Sequence, residues 1–242
     1  ILAAGANSWV RANQLASWQA DRETNFIDGA PSFSTADAPF FLRYAMLMDS
    51  GLSMAEMDKN RVFPNKIGEA DNEEHATSIF DFPMISKVLS VSSSNEIKAK
   101  LRNANLMIII TAAATALMIT VCFGAAGYWT EGAVAAIGGG LSAAYLVRSS
   151  IGRIDTDQLN LGFMYLMFGL VVFAARAKSA IWLFAWTLAA AVSANIFFWW
   201  YHKAELIISA MIAFGWLLIY ERRGFITTVL ALGLFAIVSR VG

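Results

Sequence analysis

"LMIIITAAATALMITVCF", residues 106–123, decides the fold class. It holds no charged residue. A helix over it runs roughly 27 Å, close to the thickness of a bilayer core. Similar apolar runs follow at 132–147, 159–175, 179–201, 206–220 and 224–239. The shorter ones need flanking residues to complete a crossing. The composition agrees: 57% hydrophobic residues with 17 Phe and 8 Trp, and a mean hydropathy of +0.54. These values exceed a soluble average and predict an all-α polytopic membrane protein. The formal net charge is zero and there is no basic patch, so nucleic acid is not an expected partner. The single cysteine, Cys122, excludes a disulfide within the chain and reads as a small packed hydrophobe.

Upstream of this bundle the chain is polar. "ILAAGANSWV" gives ten mostly apolar residues before Arg11, too few to span and without the basic start of a signal peptide. Residues 1–13 are expected to be the end of a first transmembrane helix that begins upstream. Residues 14–102 form a large external loop with short helices, and residues 103–242 a six-helix transmembrane bundle, seven crossings in all. In the loop, "FFLRYAMLMDSG" predicts a helix with Phe41, Tyr44, Ala45 and Met48 on one face and Gly51 as its stop. "DFPMISKVLSVSSSNEIKAKL", from Asp81, predicts another. "EADNEEH", from Glu69, reads as a solvated acidic loop, since its order is not that of a calcium site. Residues 132–147, rich in Gly and Ala, predict a buried central helix.

Lys and Arg in the short loops tie between the two sides, so the positive-inside rule alone gives no orientation. Assigning Arg148 and Arg153 to chemistry breaks the tie and puts the long loop outside. The reason for that assignment is "RSSIGRIDTDQLNLG", residues 148–162, which crowds four charges into a junction between apolar runs. Charge there is costly unless it is used. Asp155 and Asp157, two apart, can reach one hard divalent cation such as magnesium or manganese, and arginines suit phosphate oxygens. Asp157 also fits an ordinary helix N-cap, and the four charges also fit a salt-bridged surface loop. Trp199 and Trp200 read as aromatic residues of a membrane interface, and His202 as an interfacial polar residue.

The order of these features resembles the catalytic subunit of oligosaccharyltransferase, including its single-subunit bacterial and archaeal forms. The resemblance rests on a first helix, an external loop with "STADAPFFLRYAMLMDSG", then an arginine, "IDTDQ", and a helix ending in "FFWWYHKAE". It implies a GT-C-like transmembrane helix bundle with a large first external loop. It also implies transfer of a glycan from a lipid-pyrophosphate carrier to an asparagine amide on the non-cytoplasmic face, with a divalent metal (Mg or Mn). By this resemblance Asp37 and Asp155 are metal ligands, and Asp157 supports the site and belongs to the same catalytic and metal set. Arg148 and Tyr201 lie toward the lipid pyrophosphate, joined here by His202 and Lys203, where relatives carry Pro and Ser. The family's second external loop and its Trp-Trp-Asp acceptor domain do not occur in these residues, so the chain is not expected to be competent alone. The implied partners are membrane lipids, a polyprenyl-pyrophosphate-linked glycan and an acceptor polypeptide. The implied location is a bacterial inner (plasma) membrane with the loop on the periplasmic side. The alternative is a non-catalytic, degenerate homologue serving as a structural subunit of a larger membrane protein complex.

Overall fold

The computed structural model describes residues 1–27, 30–35, 37–51, 89–90, 96–201 and 203–239. Chain order runs α1 (Leu2–Ala20), α2 (Arg22–Asn25), β1 (Phe26–Ile27), β2 (Ala30–Pro31) and α3 (Asp37–Asp49). The bundle then comprises α4 (Ile97–Ala125), α5 (Trp129–Gly140), α6 (Ala143–Arg148), α7 (Asp157–Arg176), α8 (Ala180–Trp200), α9 (Ala204–Tyr220) and α10 (Phe225–Ser239). The chain is mostly helical, and α4, α7 and α8 are each long and apolar enough to cross a membrane. The acidic loop from Glu69, and residues 81–88 and 91–95 of the stretch from Asp81 in which a helix is predicted, lie outside the described residues.

The long helix that opens on the uncharged run, α4, is the hub. It packs against α1, α5 and α7; α7 carries α8 and α9, and α10 closes on α8 and α9. Contact between α4 and α7 is intimate at Gly169, where a Cβ would come within 2.7 Å of the Cα of Cys122. Small residues set close approaches on α5 as well, where a Cβ on Gly132 would come within 2.7 Å of Phe123 Cβ and one on Gly140 would overlap Asn7 Oδ1. The run at 132–147 does not form the expected single central helix. It breaks into α5 and α6, and a Cβ on Gly138 would meet no neighbour within 4 Å. The break has a local cause. Three consecutive glycines carry the lowest helix propensity short of proline, each about 1 kcal/mol worse than Ala. Ser142 then caps a new helix by accepting from the Tyr145 N–H at 3.4 Å.

The first helix also departs from expectation. Instead of ending near residue 13, α1 continues to Ala20. Its first half buries polar groups and exposes apolar ones: Asn7 and Arg11 are fully buried, while Leu2 and Trp9 are exposed. That inversion suits a helix that turns its greasy side to lipid and its polar side to other helices. The Asn7 amide donates to the Ala136 carbonyl at 3.2 Å, and Arg11 donates to the Gly140 carbonyl at 3.0 Å and to Ser149 Oγ at 2.5 Å. The Arg11 guanidinium sits 5.3 Å from the ring centre of Tyr145. Among the described residues no carboxylate pairs with it. α1 is thus stitched to α5 and α6 by polar groups that, in hydrocarbon, have nowhere else to bond.

In the segment that precedes the bundle α3 forms as predicted. Phe41, Tyr44 and Ala45 are buried with Ala38 and Leu42, and Gly51 (φ +79°) lies just past its end. Its apolar face joins the core cluster that holds Ile154, Phe163 and Trp200.

Candidate functional site: a charged junction held by buried polar bonds

The four charges of the 148–157 junction pair with one another. Arg153 Nη2 donates to Asp155 Oδ2 at 3.0 Å and lies 3.6 Å from Asp157 Oδ2. Arg148 Nη1 donates to the same Asp157 oxygen at 2.7 Å. The other Asp157 oxygen accepts from Asn160 Nδ2 at 3.2 Å. Asp157 is therefore the first residue of α7, with Thr156 at the capping position, and its side chain serves the arginines instead of capping backbone N–H groups. Its charge still favours the helix N-terminus. Arg148 is 62% exposed at its side chain, while Arg153 and Asp155 are at 17% and 12%. The hydrogen bond to Asp157 raises the Arg148 guanidinium above its ordinary value, with a further contribution from Tyr201 nearby.

A network of buried bonds holds this junction in place. Trp200 Nε1 donates to the Thr156 carbonyl at 2.7 Å. Gln158 Nε2 donates to the Arg153 carbonyl at 2.6 Å, and Gln158 in turn accepts from Tyr145 and from Thr111 and Thr115 on α4. The turn at 150–152 is fixed from three directions. Gln14 of α1 accepts from the Ile151 N–H at 3.1 Å, Asn105 of α4 accepts from the Gly152 N–H at 2.9 Å, and the Ser34 N–H donates to the Gly152 carbonyl at 3.2 Å. The last bond matters for the site: it ties the segment that leads into α3 onto the turn that leads into Asp155.

The predicted site residues fall out as follows. Asp155, Asp157 and Arg148 stand together. Tyr201 ends α8, half-buried against Phe197, and Lys203 lies 5.8 Å from its ring centre. Asp37 opens α3, three residues past Ser34, and its side chain lies outside the described residues, as does the whole of His202. Sequence reasoning missed Arg153 as the charge that bridges the two carboxylates. It also missed Gln14, Asn105, Gln158 and Trp200, the side chains that shape the turn. The paired tryptophans divide: Trp199 is exposed as an interfacial residue would be, and Trp200 is buried. Trp200→Phe keeps an aromatic ring against Phe163 but removes the indole donor from the Thr156 carbonyl, which retains its bond from the Leu159 N–H. It is expected to cost about 0.5–1.5 kcal/mol, read as a lowered unfolding temperature in detergent.

A divalent ion would need the position that Arg153 occupies. Both carboxylates close on that guanidinium, and among the described residues no three His, Cys, Asp or Glu side chains gather as ligands. In this arrangement the described donor set does not fit a metal. What the arrangement offers is a cationic edge, Arg148 with Lys203 beyond Tyr201, backed by carboxylates that hold the arginines in position.

No protein-family model matches the chain, and neither does any curated protein.

Proposed function

We propose that this junction handles the pyrophosphate of a polyprenyl-linked glycan, in a GT-C-type membrane glycosyltransferase of the oligosaccharyltransferase kind. The observation that carries the reading is that two junctions meet: the α6–α7 junction with Arg148 and Arg153 is bonded, through Trp200 Nε1 to the Thr156 carbonyl, to the end of α8 that leads into Tyr201 and Lys203, beside a turn bonded to the segment that opens α3. In this reading Arg148 is the exposed cation that meets phosphate oxygens, and Asp157 orients it through the 2.7 Å hydrogen bond. Arg153 stays inside and fixes Asp155 and Asp157 relative to each other. Asp37 and Asp155 would meet the acceptor amide, whose nitrogen is a poor nucleophile until polarised. The large loop faces the non-cytoplasmic side of the membrane.

Farnesyl pyrophosphate, titrated into the chain in nanodiscs, tests the reading. Arg148→Ala, at an exposed position, is expected to weaken binding at least tenfold while leaving the unfolding temperature unchanged. Equal binding by the variant and the parent would sink it. In the enzyme that transfers glycan to an Asn-x-Thr peptide, Asp37→Asn and Asp155→Asn should each abolish transfer.

A second reading is favoured by one observation. Every charge in the junction already has a partner inside it, as a structural latch requires. A non-catalytic subunit of a larger membrane complex would keep that latch, bind no pyrophosphate, and assemble normally as Asp155→Asn.

A further inference from the structure

A separate cavity of about 430 Å³ opens between the C-terminal half of α1, the β1–β2 hairpin and the first turns of α4. Its size falls in the range of small-ligand sites. Three cations line it: Arg22, Lys98 and Arg102, with Glu96 as the one acid. Lys98 and Arg102 are one helical turn apart on α4, so both point from the same face. Arg22 lies 4.4 Å over the ring centre of Phe26, which holds the guanidinium flat and leaves its N–H edge available. Among the described residues none of the three has an ion-pair partner. Three cations outnumber the single acid, so the lining carries a net positive charge, and a multiply charged anion relieves the repulsion among the cations.

Two further features narrow the ligand. Leu15 and Phe26 give the same cavity an apolar wall. Its level in the membrane is set by α4, whose uncharged run begins at Leu106, four residues beyond Arg102. The cations therefore stand at the surface of the bilayer, where headgroups lie. A phosphate monoester carries close to two charges at neutral pH and takes bidentate bonds from arginine. A carboxylate carries only one charge. We infer that this cavity binds the phosphate group of an anionic amphiphile through Arg22, Lys98 and Arg102. It is distinct from the charged junction, though Asn105 touches both: it lines the cavity and accepts from the Gly152 N–H.

The full chain, held in phosphatidylcholine nanodiscs, is titrated with dioctanoyl phosphatidic acid, with inorganic phosphate, and with dioctanoylglycerol as the phosphate-free control. Phosphatidic acid should bind and dioctanoylglycerol should not. Binding of phosphatidic acid at least tenfold tighter than inorganic phosphate makes a lipid headgroup the ligand. Equal binding of the two supports the same phosphate site, filled from water. The R22Q/K98Q/R102Q variant should lose at least tenfold in affinity. Indistinguishable titrations with phosphatidic acid and dioctanoylglycerol overturn the inference, as does a folded triple variant that binds like the parent. Should the triple variant fail to fold, a photoactivatable phosphatidic acid applied to the unaltered chain decides the matter. Adducts on residues 15–26 and 96–105 support the cavity; adducts confined to other residues, including 148–157, overturn it.

Discussion

Asp49→Asn is expected to destabilise the chain by about 1.5–3 kcal/mol, the worth of a hydrogen bond between charged groups that the buried Lys100 ammonium loses with the Asp49 carboxylate. Asp49 ends α3 and forms an ion pair with Lys100, whose side chain is fully buried in the first turn of α4. Ser90 donates to the other Asp49 oxygen. The pair is a polar lock between α3 and the first turn of α4. Removing both charges together is a different experiment. Asp49→Leu with Lys100→Met trades the pair for apolar bulk and should recover most of the loss, because the desolvation cost of the charges disappears with them. A double variant as unstable as Asp49→Asn would show that the lock depends on something other than charge pairing.

The same pair sets a pH dependence. Burial alone would raise the Asp49 carboxyl; hydrogen bonds from Lys100 and Ser90 and the Lys100 charge outweigh it, so its pKa lies below the ordinary carboxylate value. An acid with a depressed folded pKa adds stability above its unfolded pKa, near 4, and loses it as pH falls through the folded value. The gap in unfolding temperature between the parent and Asp49→Asn should therefore be constant from about pH 5 upward and close in more acid solution. A gap that persists unchanged into strong acid would contradict the assignment.

Lys100 shows where the sequence runs out. Six residues before an uncharged run, it reads as an ordinary solvated lysine, and nothing local marks it as buried. The helices themselves were legible because hydrocarbon forbids charge over a fixed length, and that rule is local. Arg11 breaks the rule, and by sequence it only limits the apolar stretch before it, while Asn7 carries no local signal. Their partners, Ala136, Gly140 and Ser149, lie more than a hundred residues away in sequence, beyond any periodicity. The glycine run at 138–140 serves a helix break and, at Gly140, also the close packing that the pattern suggests, against Asn7 of α1. At the junction the residue types were legible and their pairing was not. Two aspartates two residues apart suit a metal equally well on paper, and only the fold puts the Arg153 guanidinium between them.

Gly152→Ala should damage that junction directly. Gly152 has φ +78°, which an L-residue adopts at a cost of about 1–2 kcal/mol. A Cβ there would come within 2.7 Å of the Ser32 carbonyl oxygen and 2.8 Å of Trp18 Cη2. The first neighbour is backbone, and it cannot swing away without breaking the bond from the Ser34 N–H to the Gly152 carbonyl. Overpacking of this kind adds about 1–3 kcal/mol. The two contributions together predict a loss of about 2–5 kcal/mol, and with it a weakening of farnesyl pyrophosphate binding, because the turn that leads into Asp155 must shift. Gly138→Ala is the control: it sits in α5 with open space around it, and its replacement should be neutral or gain up to about 1 kcal/mol from helix propensity. Adding Trp18→Ala to Gly152→Ala removes one of the two obstacles and should recover little, since the positive φ and the Ser32 oxygen remain. Full recovery in that double variant would place the strain in the tryptophan ring and release the backbone of the turn from the role given to it here.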